Sequence, residues 1–416
     1  MLYNSFRKVG GAFMIRKVLL ENKNARCYIL ASFIISIGTG IFFLTLNLYL
    51  KSLGVKNEFI GFINGIYYLG IAVLALLSGL ISNIAGHKRS FAIGTMLQFL
   101  GEIGMVLSKN GFALIIFIFL IGFGSSLFLV NEAPFLSRNS TSYEQTHLFG
   151  LSFGSVVLGN FIGEILGSFL PKILNGDQAF ALRSAIIIAA TLTILGLLFI
   201  IRIDEEWVIE ESESIISKIK DPLIKLFNYK KNFKIIGIFA ISEFLMGIGA
   251  GVMVPFFNLY FIEYQGIGYE KLGIIFGAQS ILIALASFFI PYVVKKFKKF
   301  YSVITLESLS LPFIILLLSK NKTLSIISYL LRGIFINASI PVYTSYYMDL
   351  MEDEIKAIAS SVKEISWNLA WFIGSLLFAF MGGDYKSAIV TFFLFYTLGI
   401  LSFSFLTKKN AKIMIL

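Results

Sequence analysis

Gly38-Thr-Gly-Ile-Phe-Phe-Leu-Thr-Leu-Asn-Leu-Tyr49 and Gly249-Ala-Gly-Val-Met-Val-Pro-Phe-Phe-Asn-Leu-Tyr260 are two versions of one pattern, 211 residues apart. The same offset pairs Gly122 with Gly333, and Phe161-Ile-Gly163 with Phe372-Ile-Gly374. His87-Lys88 falls on Lys298-Lys299. One coincidence of small residues in apolar sequence means little. A constant offset across several segments predicts two halves of the same construction and orientation, related as parallel repeats.

Both copies lie in long apolar runs. Of the 416 residues, 57% are hydrophobic and only 14% charged, and mean hydropathy is +0.84. Soluble domains carry about 25% charged residues, so this chain cannot face water on all sides. Twelve stretches are long enough to cross a bilayer as helices of about 20 residues. They are 28–50, 59–81, 91–107, 111–133, 149–170, 181–201, 235–261, 272–294, 301–318, 324–348, 359–381 and 387–406. The expected fold is an all-α integral membrane protein. Its parts are an N-terminal tail (1–26), a six-helix bundle (27–201), a linker (202–234), a second six-helix bundle (235–406) and a C-terminal tail (407–416). Residues 1–26 hold Arg7, Lys8, Arg16, Lys17, Lys23 and Arg26 ahead of an apolar run too long for a signal peptide. The linker, acidic at Asp204-Glu-Glu206 and then lysine-rich, reads as a solvated connector with an amphipathic helix ended by Asp221-Pro222.

The net charge of +11 is an orientation signal. The two tails and every second loop hold 25 of the 35 lysines and arginines, the alternate loops hold nine, and Arg332 lies inside a span. Basic loops stay inside, so both termini are expected in the cytoplasm of a multi-pass protein of the cell's inner membrane. The lipid bilayer thus accounts for the basicity, and a nucleic-acid partner is excluded. One cysteine, Cys27, forbids an internal disulfide, and with two histidines it leaves no zinc set. No phosphate-cradling G-x-x-x-x-G-K-S/T loop and no nucleophile motif occurs. The chain reads as neither an enzyme nor a cofactor binder.

The loop after the second span reads Gly79-Leu-Ile-Ser-Asn83-Ile84-Ala-Gly86-His87-Lys88-Arg89. It resembles the G-x-x-x-D-R-x-G-R-R/K loop of the major facilitator superfamily. With twelve spans, two halves and a long middle loop, the resemblance covers almost the whole chain. It implies alternating access by two rocking halves, and a gating role for Gly79, Asn83, Gly86, Lys88 and Arg89. Asn83 stands where the family has an aspartate and Ile84 where it has an arginine, which implies a weaker cytoplasmic latch. Drug antiporters of the family carry G-P-x-x-G-G in span 5. Here the segment is Gly159-Asn160-Phe-Ile-Gly163-Glu164, without the proline and the final glycine. The span-4 arginine of that branch is replaced by Ile118, ahead of Gly122 and Gly124.

Ionisable groups in hydrocarbon cost about 2.5–3.5 kcal/mol each at a helix centre, and so mark function by default. Glu243 (span 7) and Arg332 (span 10) lie in spans that the resemblance places around the central cavity. They are expected to titrate protons, to clamp an anionic group bidentately, or to form a standing ion pair with each other. In span 5, Asn160, Glu164 and Ser168 form a polar stripe beside Gly159, Gly163 and Gly167, whose spacing suits close helix packing. Glu164 is the second candidate for protonation. Glu102, Glu307 and Glu132 are expected to satisfy neighbours or reach water, and Lys363-Glu364 to sit at an interface. Asn47 and Asn258 are expected to brace helix ends, and Trp367 and Trp371 to pack. Together these residues point to a secondary transporter of a small molecule, working as a monomer, with proton-coupled efflux of hydrophobic or amphipathic compounds first. Uptake of an anionic metabolite through Arg332 is the alternative. A non-transporting membrane sensor or immunity protein on the same scaffold is the rival class.

Overall fold

In lipid, every backbone amide must find its partner within the chain, and the computed structural model meets that demand with helices. It describes residues 22–108, 110–140, 142–174, 177–204, 230–287, 290–351 and 356–409. Among these are twelve long helices and no strand. They are α1 (Lys23–Ser52), α2 (Asn57–Ala85), α3 (His87–Leu107), α4 (Gly111–Arg138), α5 (Ser142–Ile173), α6 (Gln178–Ile200), α7 (Lys230–Met253), α8 (Tyr269–Ser287), α9 (Ile290–Leu316), α10 (Lys322–Asp349), α11 (Lys356–Phe380) and α12 (Tyr385–Lys409). Among the described residues, eleven are long and apolar enough to span a membrane; α11, which carries Lys363 and Glu364, is outside that set. Most of the predicted linker, residues 205–229, and most of the N-terminal tail lie outside the described residues.

Helix ends follow local chemistry. Asn110, Asp177 and Asn321 cap α4, α6 and α10, accepting from the amides of Phe112, Phe180 and Leu324. Asp384 accepts from the Ser387 amide and hydroxyl ahead of α12, and these donors hold its carboxyl below the usual aspartate range. All four caps lie in the loops poor in lysine and arginine. Pro255 lacks the amide a helix needs, and there α7 gives way to a 3-10 turn (Val254–Phe256) and, further on, a π turn (Tyr260–Tyr264).

By contacts the chain divides into two compact units, Met1–Tyr49 with Leu74–Ile209, and Leu50–Val73 with Glu210–Leu416. In the first, α5 packs on α1: a Cβ on Gly163 would strike the carbonyl of Ile37, and one on Gly40 would strike the backbone of Asn160. The glycine stripe of span 5 is therefore a packing surface, as expected. In the second unit, Gly374 meets the carbonyl of Ile248, and Gly251 meets Trp371. Each of these contacts is its counterpart displaced by the 211-residue repeat. The two units thus repeat in three dimensions the contacts that the sequence repeats in order.

The second unit also takes in the start of α2. Gly61 and Gly65 pack against Ser375, Ala379 and Phe372 of α11, and the Tyr68 ring lies 4.7 Å from that of Trp371. At the end of this unit, Glu263 receives Lys51 (2.8 Å), Tyr385 (2.6 Å) and Asn57 (3.1 Å). Neither repeat spacing nor hydropathy marks this polar cluster in the sequence.

Candidate functional site: a charged cavity in the second unit

A cavity of about 200 Å³ opens within the second unit, lined from five helices. α7 supplies Glu243 and Met246, α9 Glu307, α10 Ser339 and Tyr343, α11 Lys363 and Trp367, and α12 Tyr396. Lys363 and Trp367 are four residues apart, so one face of α11 presents both. The volume exceeds the share of one water several-fold.

The two buried carboxylates of this cavity are held differently. Glu307 is satisfied at both oxygens: Ser339 donates to Oε1, and Tyr396 donates to Oε2 at 2.5 Å. Glu243, 6% exposed, has Lys363 Nζ 3.4 Å from Oε1, while its Oε2 is buried with no hydrogen-bond partner among the described residues. Lys363 Nζ also lies 3.3 Å from Glu364 Oε1. Charge-assisted N–H···O contacts usually close to about 2.7–2.9 Å. The ammonium therefore bridges the two carboxylates, with both contacts longer than such pairs usually are.

Arg332 is buried too, but not at Glu243. Its guanidinium lies 4.7 Å from the Phe257 ring centroid and 5.4 and 5.7 Å from those of Tyr329 and Phe392. Cation–π attraction compensates part of its desolvation. Nε has no hydrogen-bond partner, and among the described residues Arg332 forms no ion pair. Of the roles left open for Glu243 and Arg332, a mutual ion pair does not form among the described residues; Glu243 faces Lys363 instead. Lys363, anticipated at an interface, is folded inward, with its side chain 13% exposed. Glu307, expected to satisfy neighbours, does so through Ser339 and Tyr396 and also lines the cavity. An apolar run interrupted by a lysine one turn from a tryptophan was the available signal for Lys363; the hydroxyl partners of Glu307 left none.

Asn160 and Glu164 belong to the first unit, on α5. Both are half-buried, and Asn160 Oδ1 lacks a hydrogen-bond partner. Glu102 accepts from Thr193 (3.2 Å) and Glu132 from Ser152 (2.6 Å). Asn258 accepts from the Leu259 amide, in keeping with a brace, and Asn47 is buried. Of the residues expected to form a gating loop, Gly86 adopts φ 83° at the α2–α3 junction, Lys88 is half-buried and Arg89 exposed. Gly79 and the Asn83 side chain lie outside what is described. Among the described residues, no cluster of metal-ligating side chains occurs.

The sequence profile of the Major Facilitator Superfamily matches residues 28–375 and 239–413. The quinolone resistance protein NorA of Staphylococcus aureus is 21% identical over 353 residues, covering 83% of this chain and 86% of its own. An uncharacterised MFS-type transporter of Methanocaldococcus jannaschii is 24% identical over 369 residues, covering 86% and 91%. Among solved structures, the nucleoside transporter NupG superposes with TM-score 0.72 at 14% identity, covering 94% of this chain and 99% of its own. The inward-open xylose transporter XylE of E. coli gives 0.72 at 16% identity, covering 92% and 95%.

Proposed function

The chain belongs to the major facilitator superfamily and is a multi-pass membrane transporter, and from that premise we propose that it exports hydrophobic or amphipathic compounds in exchange for protons. The observation that carries the reading is the buried Glu243, one carboxylate oxygen of which lacks a hydrogen-bond partner among the described residues, in the lining of a cavity walled by Tyr343, Trp367 and Tyr396. A carboxylate in hydrocarbon is costly; one that binds and releases a proton during each cycle repays that cost. Aromatic and thioether walls suit an apolar substrate body. NorA, named for quinolone resistance, supports the export direction.

In this reading Glu243 is the coupling site and Glu164, with Asn160, a second polar station in the other unit. Arg332 keeps a fixed positive charge near the pathway. Gly79, Asn83, Gly86, Lys88 and Arg89 form the cytoplasmic gating loop. The halves 27–201 and 235–406 rock as units, in a monomer with both termini in the cytoplasm.

Proteoliposomes with an imposed pH gradient test the proposal. Transport of an amphipathic substrate should collapse with a protonophore. Glu243→Gln should abolish gradient-driven accumulation while keeping substrate counterflow, because exchange needs no net proton movement. Accumulation that persists in Glu243→Gln removes Glu243 from coupling, and flux indifferent to the protonophore sinks proton exchange itself.

A further inference from the structure

Resting on the cavity as substrate site, we propose that Lys363 is a tethered stand-in for the substrate: its ammonium occupies the place that the positive group of a small monovalent, aromatic or amphipathic cation takes at Glu243, and it retires to Glu364 when that cation binds. Three independent features of the cavity converge on this.

The first is charge. Glu243, Glu307 and Glu364 line the cavity together with one cation, Lys363. Glu307 is occupied by Ser339 and Tyr396, so Glu243 is the carboxylate left to receive a ligand. Its buried Oε2, without a partner, is an acceptor that a positive group satisfies and an anion does not.

The second is the loose, divided hold on Lys363. Contacts of 3.4 Å to Glu243 and 3.3 Å to Glu364 leave the ammonium able to shift from one carboxylate to the other by side-chain rotation. The Glu364 side chain is 46% exposed against 8% for Glu243, so Glu364 is the less buried of the two resting places for the ammonium. A cation entering at Glu243 displaces Lys363 without stranding it.

The third is the wall. Trp367 lies one turn from Lys363 on α11, and Tyr343 and Tyr396 stand on neighbouring helices. Aromatic faces attract cations, and they favour a weakly hydrated one over a compact, strongly hydrated one because less hydration is lost. Lys363 thereby sets specificity by competition: an incoming cation binds only if it outbids an ammonium already held there.

The test is equilibrium binding of phenyltrimethylammonium, a permanent cation that cannot titrate, to the purified full-length protein in detergent. Lys363→Gln should tighten binding about tenfold, the factor that removal of about 1.4 kcal/mol of competition produces. Lys363→Arg, which keeps the competitor, should stay near the wild-type affinity. Glu364→Gln should weaken binding, since Lys363 then has only Glu243 to hold. Glu243→Gln should lose binding. A purely structural lysine predicts the reverse sign for Lys363→Gln, with weaker binding. If binding is lost in Glu243→Gln but unchanged or weaker in Lys363→Gln, the competition is refuted and the site stands. If neither wild type nor Lys363→Gln binds the cation, the cavity is not a cation site and this proposal falls, while the export reading stands or falls separately on the proteoliposome flux.

Discussion

Glu307 and Glu243 illustrate how much a single buried carboxylate depends on what surrounds it. Glu307 has a hydroxyl for each oxygen, whereas Glu243 has an ammonium 3.4 Å from one oxygen and, among the described residues, no hydrogen-bond partner for the other. Removing a partner from a buried acceptor costs about 1–3 kcal/mol. Tyr396→Phe should therefore lower the thermal unfolding midpoint of the detergent-solubilised protein by that amount of stability; an unchanged midpoint would mean that the Tyr396 hydroxyl does not hold Glu307. At this scale the sequence was a partial guide. It marked Glu243 and Arg332 as costly residues inside spans, because hydropathy registers every charge in an apolar run. A mutual ion pair was one of the roles it left open for them, and it could not exclude that pair because pairing depends on which helix faces meet. Lys363 reaches Glu243 across the α7–α11 contact, and nothing in either helix alone records that approach.

Between α2 and α3, Gly86 has φ 83° and ψ 163°; within α9, Lys298 has φ 58° and ψ 161°. The two breaks fall within one residue of the repeat and share a backbone conformation that glycine adopts freely and other residues do not. Lys298→Gly should accordingly stabilise the protein by about 1 kcal/mol, within the 1–3 kcal/mol that such strain costs, read as a rise in the unfolding midpoint. A fall would show that the Lys298 side chain contributes more than its backbone loses. The helices themselves were legible, since length and apolarity define a span. Their irregularities were less so. Hydropathy places a boundary between Val294 and Tyr301, where the Lys298 break falls, but not the backbone form of that break. The turns after Met253 interrupt a segment that reads as uniformly apolar, because a proline alters hydrogen bonding without altering hydropathy.

The orientation of the molecule rests on where lysine and arginine gather. In a Cys27→Ser background, a membrane-impermeant maleimide applied to intact cells should label Lys386→Cys and spare Lys296→Cys; both positions are exposed on the protein. The opposite pattern would invert the topology. The sequence alone determined the membrane class, the helix count and the internal repeat, because each follows from composition and order along the chain: hydrocarbon demands apolar helices, and duplicated packing demands duplicated small residues. The contacts of Gly163 with Ile37 and of Gly374 with Ile248 bear this out. Only the tertiary structure decided that Leu50–Val73 clusters with the second unit, that Glu263 gathers Lys51, Asn57 and Tyr385, and that Lys363, not Arg332, faces Glu243. Those outcomes depend on the rotation and approach of whole helices, which hundreds of weak side-chain contacts set jointly and no local stretch of sequence encodes.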